Sequence, residues 1–419
     1  MNIIILGPRE PVPPTRGGAI EKLTWGLAKG LAKYGHEVTI ISTCENPISK
    51  YTTENINIIC ISPPISGSRF YFREMPLFSY RAGKIIKKLL MNKPNMKDDV
   101  IVHSVYFYNL MMFPPLNEIP LVITEFEHYP WIPEYLYHRP FISATGVARW
   151  ELDSLFRIGI AQATLPKASA IVFISNYQKR MALRKLKLIR HKSIIIPNAV
   201  DTDFYRPTKA DELRENLANG ADLLLLFVGR LTPHKGLHIL IKSIGNLEPD
   251  YRNKLRLVVV GPKAPGFRTT SLSLSYPYIQ YINYLIYKYD LRNNIIFVGQ
   301  VNEEEMPLYY NAIDMLVHPS FVEAFGLVLI EAMACGKPIL AFDIPPMNEI
   351  IENSISGLLT KPSAESLAEA LRIVADNTKA LKAMGSKARN IIEMKYSWRV
   401  ILRKYLILYD ELNKIFNNY

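Results

Sequence analysis

Short apolar runs alternate with helical segments along the whole chain, and this alternation constrains the fold more than any other feature. Ile3–Leu6 is a run of the kind buried in a parallel sheet, where both faces are covered and polar alternation disappears. A Gly/Pro-rich loop follows it. Ala19–Tyr34 then carries apolar residues at helical spacing until Gly35 ends the segment. Val38–Ser42, Val100–His103, Leu121–Thr124 and Ala170–Ile174 repeat the strand pattern, the last after a helical stretch over Trp150–Lys167. Such a β-α-β series predicts a parallel, doubly wound α/β sheet.

The second half repeats the design. Strands are predicted at Leu223–Val228, Leu257–Val260, Ile295–Val298, Met315–Val317 and Pro338–Ala341, with helices such as Leu237–Ile244 and Glu303–Asn311 between them. A chain of 419 residues exceeds one ordinary core and suggests two domains of about 200 residues. The join lies near Ile194–Asp201, where a strand gives way to a turn-rich linker. Domains at 1–198 and 199–397 follow. The tail, Ser397–Phe416, is amphipathic and aromatic.

The net charge of +12 favours an anionic partner: phosphate esters, nucleic acid or an acidic membrane face. Cys44, Cys60 and Cys335 are few, odd in number and widely spaced. They do not read as a disulfide framework or a metal site, which points to a reducing cytosol. No apolar run approaches the roughly 18 residues of a spanning helix. The N-terminus lacks a basic leader, so the expectation is a soluble protein or one attached only at a membrane surface. Arg69–Lys93 and the basic stretch Lys179–Lys192 could rest on anionic headgroups, or be surface helices with solvated cations. The Tyr-rich segment Ser271–Tyr289 interrupts the regular plan.

Four clusters carry candidate chemistry. Glu323 and Glu331 stand eight residues apart around an apolar run that holds Phe325, Gly326 and Leu327. On one helix they would project to the same side, with the free amides of the helix N-terminus beside them. That suits a ligand with a central phosphate and hydroxyls at both ends. Gly229-Arg230 and Lys235-Gly236 follow a predicted buried strand, at the edge where ligands bind in open α/β sheets, and the two cations could clamp a diphosphate. Gly17-Gly18 opens the first helix, where glycine lets backbone approach phosphate; a plain turn competes. His103 and His128 fall at predicted strand C-termini, and each competes with a structural role. No His/Cys/Asp cluster is recognised at metal-ligand spacing.

Taken in order, these motifs resemble the retaining glycosyltransferases of family four. Glu323–Glu331 is similar to their E-x7-E signature, Gly17-Gly18 to their N-terminal glycine loop, and Gly229-Arg230 with Lys235-Gly236 to their phosphate clamp. Ile196–Asp201 resembles their interdomain crossing, and Ser397-Trp398 with the tail (398–419) their final helix returning to the first domain. The resemblance covers nearly the whole chain. It implies the GT-B architecture, two Rossmann-like domains facing across a cleft, with an acceptor-binding first domain and a donor-binding second one. The donor would be a nucleotide-diphosphate sugar of the UDP-glucose or GDP-mannose type, and the acceptor a glycan or a lipid-linked molecule. Transfer would proceed with retention, at the cytoplasmic face of the cell envelope, with no cofactor or metal. By the same resemblance Glu323 would bind donor-sugar hydroxyls and Glu331 the ribose. Phe325, Gly326 and Leu327 would offer amides to sugar and diphosphate. Arg230 and Lys235 would stabilise the leaving diphosphate, and Gly18 would let its loop close on the phosphates. The family usually has a histidine two or so residues after Thr124; here Glu125-Phe126-Glu127-His128 displaces it.

Three rivals compete. An oxidoreductase would need G-x-G-x-x-G with an acidic partner about 20 residues on, which is lacking. A glycosidase acid/nucleophile pair fails because Glu331 should face the ribose. A non-enzymatic nucleotide-sugar or nucleic-acid binder of the same fold is the alternative. The basic residues form no recognised nucleic-acid motif, so no nucleic acid is expected.

Overall fold

The computed structural model describes residues 1–7, 10–13, 18–44, 50–62, 74–92, 99–114, 119–126, 144–262 and 272–417. The chain forms two compact units. One comprises Met1–Ile132, Glu151–Ala199 and Trp398–Tyr419, the other Pro133–Trp150 and Val200–Ser397.

The strands of the first unit are β1 (Asn2–Leu6), β2 (Glu37–Thr43), β3 (Lys50–Thr53), β4 (Ile56–Ser62), β5 (Val100–Ser104), β6 (Leu121–Glu125), β7 (Ala170–Phe173) and β8 (Ser193–Ile195). They form one sheet in the order β3-β4-β2-β1-β5-β6-β7-β8. All pair in parallel except β3, which runs antiparallel to β4. β3 has no apolar run because it is a mostly exposed edge, and polar edge strands resist further pairing. The second sheet is parallel throughout. Its strands β9 (Leu223–Val228), β10 (Leu255–Val260), β11 (Ile295–Gly299), β12 (Met315–His318), β13 (Ile339–Phe342) and β14 (Gly357–Thr360) take the order β11-β10-β9-β12-β13-β14. Both orders reverse direction beside the first strand, β1 or β9, which is the topological switch point of a doubly wound sheet.

Fourteen helices are described: α1 (Ala19–Lys33), α2 (Glu74–Asn92), α3 (Ala144–Thr164), α4 (Asn176–Lys185), α5 (Asp211–Ala218), α6 (Leu237–Gly245), α7 (Pro249–Lys254), α8 (Leu272–Lys288), α9 (Met306–Ala312), α10 (Leu327–Ala334), α11 (Met347–Ile350), α12 (Ala364–Asp376), α13 (Thr378–Lys395) and α14 (Trp398–Asn417). The Tyr-rich segment proves to be α8, which buries Tyr278, Ile282 and Leu285 in the core of the second sheet.

The last helix belongs to the first unit. A Cβ on Gly26 would lie 2.3 Å from the Trp398 ring, and one on Gly30 would lie 2.3 Å from Leu402 Cδ1. Two glycines one turn apart therefore let α1 and α14 touch closely. Helix α2 buries Met75, Phe78, Ala82, Ile86 and Leu90, a stripe at helical spacing, and exposes Lys84, Lys87 and Lys88. The part of the membrane-contact candidate before Glu74 lies outside the described residues. In the other basic stretch, Lys179 donates to the Ser193 carbonyl at 2.6 Å and Lys192 to those of Pro166 and Ala168 at 3.0 and 2.9 Å. Two of its cations thus cap backbone. Among the described residues no helix is long and apolar enough to cross a membrane.

The cysteine expectation needs correction. Cys44 and Cys60 form a disulfide, with Cα atoms 5.5 Å apart. They are 16 residues apart in sequence, but β2 and β4 are neighbouring strands and bring them together. The cysteine count therefore gives no ground for a reducing compartment. Cys335 is free and buried.

Candidate functional site

In the second unit, β9 and β12 are paired neighbours, so the loops after their C-terminal ends lie side by side. The backbone N–H of Phe321 donates to the His234 carbonyl at 2.8 Å, and Ser320 Oγ donates to the same oxygen at 3.2 Å. Gly236 makes this approach possible. Its φ is +75°, and a Cβ there would lie 1.9 Å from the Pro319 carbonyl oxygen.

These loops bring Lys235 onto Glu323, whose Oε1 accepts the Lys235 ammonium. The same oxygen lies 2.9 Å from His318 Nε2. The Glu323 side chain is only 12% exposed. Burial alone would push its carboxyl upward; Lys235 and His318 outweigh that and hold it well below the usual carboxylate range. An ionised carboxylate only accepts, so the imidazole donates from Nε2. The sequence reading missed His318. The available signal was its place directly after the predicted strand Met315–Val317, five residues before Glu323.

The two glutamates do not share a helix, contrary to expectation. Gly326 takes a left-handed φ of +96° and α10 begins only at Leu327, so Glu323 stands in the loop and Glu331 in the helix. Phe325 is buried, its ring 5.9 Å from that of Tyr396. No side chain caps α10, which leaves first-turn amides for another acceptor. Glu331 Oε2 accepts the Tyr310 hydroxyl at 2.7 Å. Burial, then the Glu331 charge, push Tyr310 well above the ordinary phenol range, so it stays a donor. Arg230 follows Gly229 at the end of β9 and is exposed; among the described residues its guanidinium has no hydrogen bond or ion pair.

The first-unit candidates fare differently. Gly18 N-caps α1 in an extended conformation, with φ −96°. Gly17 and His128 lie outside the described residues. His103 is corrected from a catalytic candidate to a core residue. It is 0% exposed, with Nε2 2.7 Å from Thr124 Oγ1 and Nδ1 2.6 Å from the Tyr409 hydroxyl. Burial lowers its pKa to about 3. Thr124 also meets the Tyr405 hydroxyl at 3.2 Å, so α14 supplies both tyrosines of the network.

One Asp-x-Asp, Asp201-Thr202-Asp203, departs from the expectation of no metal-ligand spacing. Its Asp201 Oδ1 accepts the backbone N–H groups of Asp203 and Phe204, each at 3.0 Å, which closes a turn. Among the described residues no group of three or more His, Cys, Asp or Glu could hold a metal ion.

Two largely parallel Rossmann-like sheets, with a loop carrying Lys235 and a loop carrying Glu323 after neighbouring strands of the second, define a protein class. The chain has the GT-B glycosyltransferase fold. Its residues 17–204 match Glycosyltransferase Family 4, and residues 208–391 match Glycosyl transferases group 1. With one match on each half, the chain is a glycosyltransferase of the GT-B type. An uncharacterized glycosyltransferase of Methanocaldococcus jannaschii is 24% identical over 95% of each chain. Sucrose-phosphate synthase from Thermosynechococcus elongatus shares the fold with a TM-score of 0.75, at 21% identity over 98% of this chain and 99% of that one. Anabaena HepE, solved in complex with UDP, does so with a TM-score of 0.69, at 18% identity over 98% of this chain and 100% of that one.

Proposed function

We propose that the protein moves a hexose from a nucleotide-diphosphate sugar, of the UDP-glucose or GDP-mannose type, to a glycan or lipid-linked acceptor. The configuration at the anomeric carbon is retained and no metal takes part. The observation that carries this reading is the buried Lys235–Glu323 pair beside the uncapped start of α10. It sets a cation, a hydroxyl acceptor and free amides on adjoining loops, the chemistry a sugar diphosphate demands.

The roles follow from the contacts. Glu323 accepts donor-sugar hydroxyls. Glu331, oriented by Tyr310, accepts those of the ribose. The amides around Phe325, Gly326 and Leu327 receive the diphosphate. Lys235 and the exposed Arg230 stabilise it as it leaves, and this positive charge takes the place of a metal. The acceptor attacks the face the diphosphate departs from, and a diphosphate oxygen takes the acceptor proton. Liposome co-sedimentation at low salt tests whether α2, with Lys84, Lys87 and Lys88 beside exposed Leu77, Tyr80 and Met91, rests on an anionic membrane.

A thermal-shift panel of UDP-, GDP-, ADP- and dTDP-sugars, with and without chelator, tests the donor. One sugar nucleotide should raise the melting temperature equally in both conditions. Glu331→Gln should weaken that binding by calorimetry, and Lys235→Ala should abolish transfer. Wild-type behaviour from both variants would overturn the assignment. Binding without transfer to any glycan or lipid-linked acceptor would favour a binding protein of the same fold.

A further inference from the structure

We infer that His318 is a positioning residue that decides which oxygen of Glu323 is presented to the donor sugar. The inference rests on the proposed function and deepens it. His318 is the last residue of β12 and its side chain is 2% exposed, so it acts only through a neighbour. That neighbour is Glu323. Both partners of the carboxylate, Lys235 Nζ and His318 Nε2, meet Oε1. Among the described residues Oε2 has no hydrogen-bond partner and keeps its lone pairs for a hydroxyl.

The two partners differ in how firmly they hold. Lys235 ends a short 3-10 turn and carries its ammonium on a flexible stem, so it can turn toward a diphosphate. His318 is a flat ring on a buried strand with few rotamers. When Lys235 swings to the leaving group, the imidazole keeps Oε1 in place and Oε2 directed at the sugar. The ring's other nitrogen supports the same role. His318 Nδ1 is buried and, among the described residues, has no partner. A buried polar atom without a partner costs free energy, and an apolar residue at the end of β12 would avoid that cost. Among the described residues nothing else hydrogen-bonds the imidazole, so its polar contact there is with Glu323.

The test compares His318→Gln, His318→Asn and His318→Leu by calorimetry. The probes are UDP-glucose with UDP and GDP-mannose with GDP, using the pair the wild-type protein binds. His318→Leu should weaken the sugar nucleotide about tenfold, the worth of one hydrogen bond to a charged group, and leave the nucleoside diphosphate within about twofold. Gln reaches the Nε2 position with its amide nitrogen and should restore most of the affinity. Asn places its donor near Nδ1 and should not. If the leucine variant fails to fold, the Gln/Asn contrast decides alone. Equal loss of both probes, equal behaviour of Gln and Asn, or wild-type affinity throughout would overturn the inference. A wild-type protein that binds neither pair overturns the proposed function itself, a result the variants are not needed to see.

Discussion

Two histidines hold matching places in the two sheets, and their fates differ. β5 lies next to β1 across the switch in strand order, as β12 lies next to β9. His103 stands one residue from the end of β5 and His318 at the end of β12. Both are buried. His103 is bonded at both nitrogens, to Thr124 and to Tyr409. His318 is bonded at one, to a carboxylate that is itself paired with a lysine. The difference comes from what covers each strand end. In the first unit α14 lays Tyr405 and Tyr409 over the histidine and completes a polar core. In the second a loop brings Glu323, a charge that keeps one oxygen open. A histidine at the C-terminal edge of a parallel strand is thus neither core nor site until its cover is known.

Breaking the Lys235–Glu323 pair should have the largest effect. Lys235→Ala leaves a mostly buried carboxylate short of its cation and should cost about 3–5 kcal/mol in chemical denaturation. Adding Glu323→Gln should recover a good part of that loss. If the double variant is no more stable than the single one, the pair is not the source. Next comes His103→Leu, which strips partners from Thr124 and Tyr409 and should cost about 2–4 kcal/mol. Donor affinity should stay at the wild-type level; a loss there would return His103 to the site.

Acid sharpens the contrast at smaller scale. His103 titrates at about 3 when folded against 6.5 in its ordinary state. Below 6.5 the unfolded chain binds the extra proton, so the stabilisation is full above 6.5 and lost as pH falls toward 3. The slope is about 1.4 kcal/mol per pH unit from this group. His238, lowered to about 4 by burial and then Lys242, adds in the same direction. Urea midpoints of wild type and His103→Leu between pH 6.5 and 5 should converge as pH falls. Parallel lines would show that His103 is not the titrating core group. Smallest is Tyr310→Phe, which should cost about 1 kcal/mol and weaken nucleotide binding several-fold by calorimetry, since Glu331 loses one of its donors.

Much of the fold was readable. The buried strands β1, β5, β6, β9 and β12 announced themselves as apolar runs, because a parallel sheet covered on both faces needs them. Three other segments have no counterpart among the predicted strands. β3 is polar because it is an edge, β14 is short and opens on a glycine, and β4, though buried, breaks the strand–helix alternation by following β3 directly. Of the site, Lys235, Glu323 and Glu331 stood in motifs. The shared helix for the two glutamates did not survive, because Gly326 turns left-handed and delays the helix to Leu327. The Cys44–Cys60 pairing was hidden by a separation that only neighbouring strands close.

The sequence by itself determined the two α/β halves, the loops that follow their strands and the cationic and acidic residue types those loops carry. Burial patterns and motifs are local in the chain, so they can be read along it. Only the tertiary structure decided that Lys235 and His318 converge on one oxygen of Glu323, that His103 is sealed by a tyrosine 306 residues further on, and that two cysteines meet. Those pairings depend on strand order and on which loops lie side by side, and no local pattern encodes either.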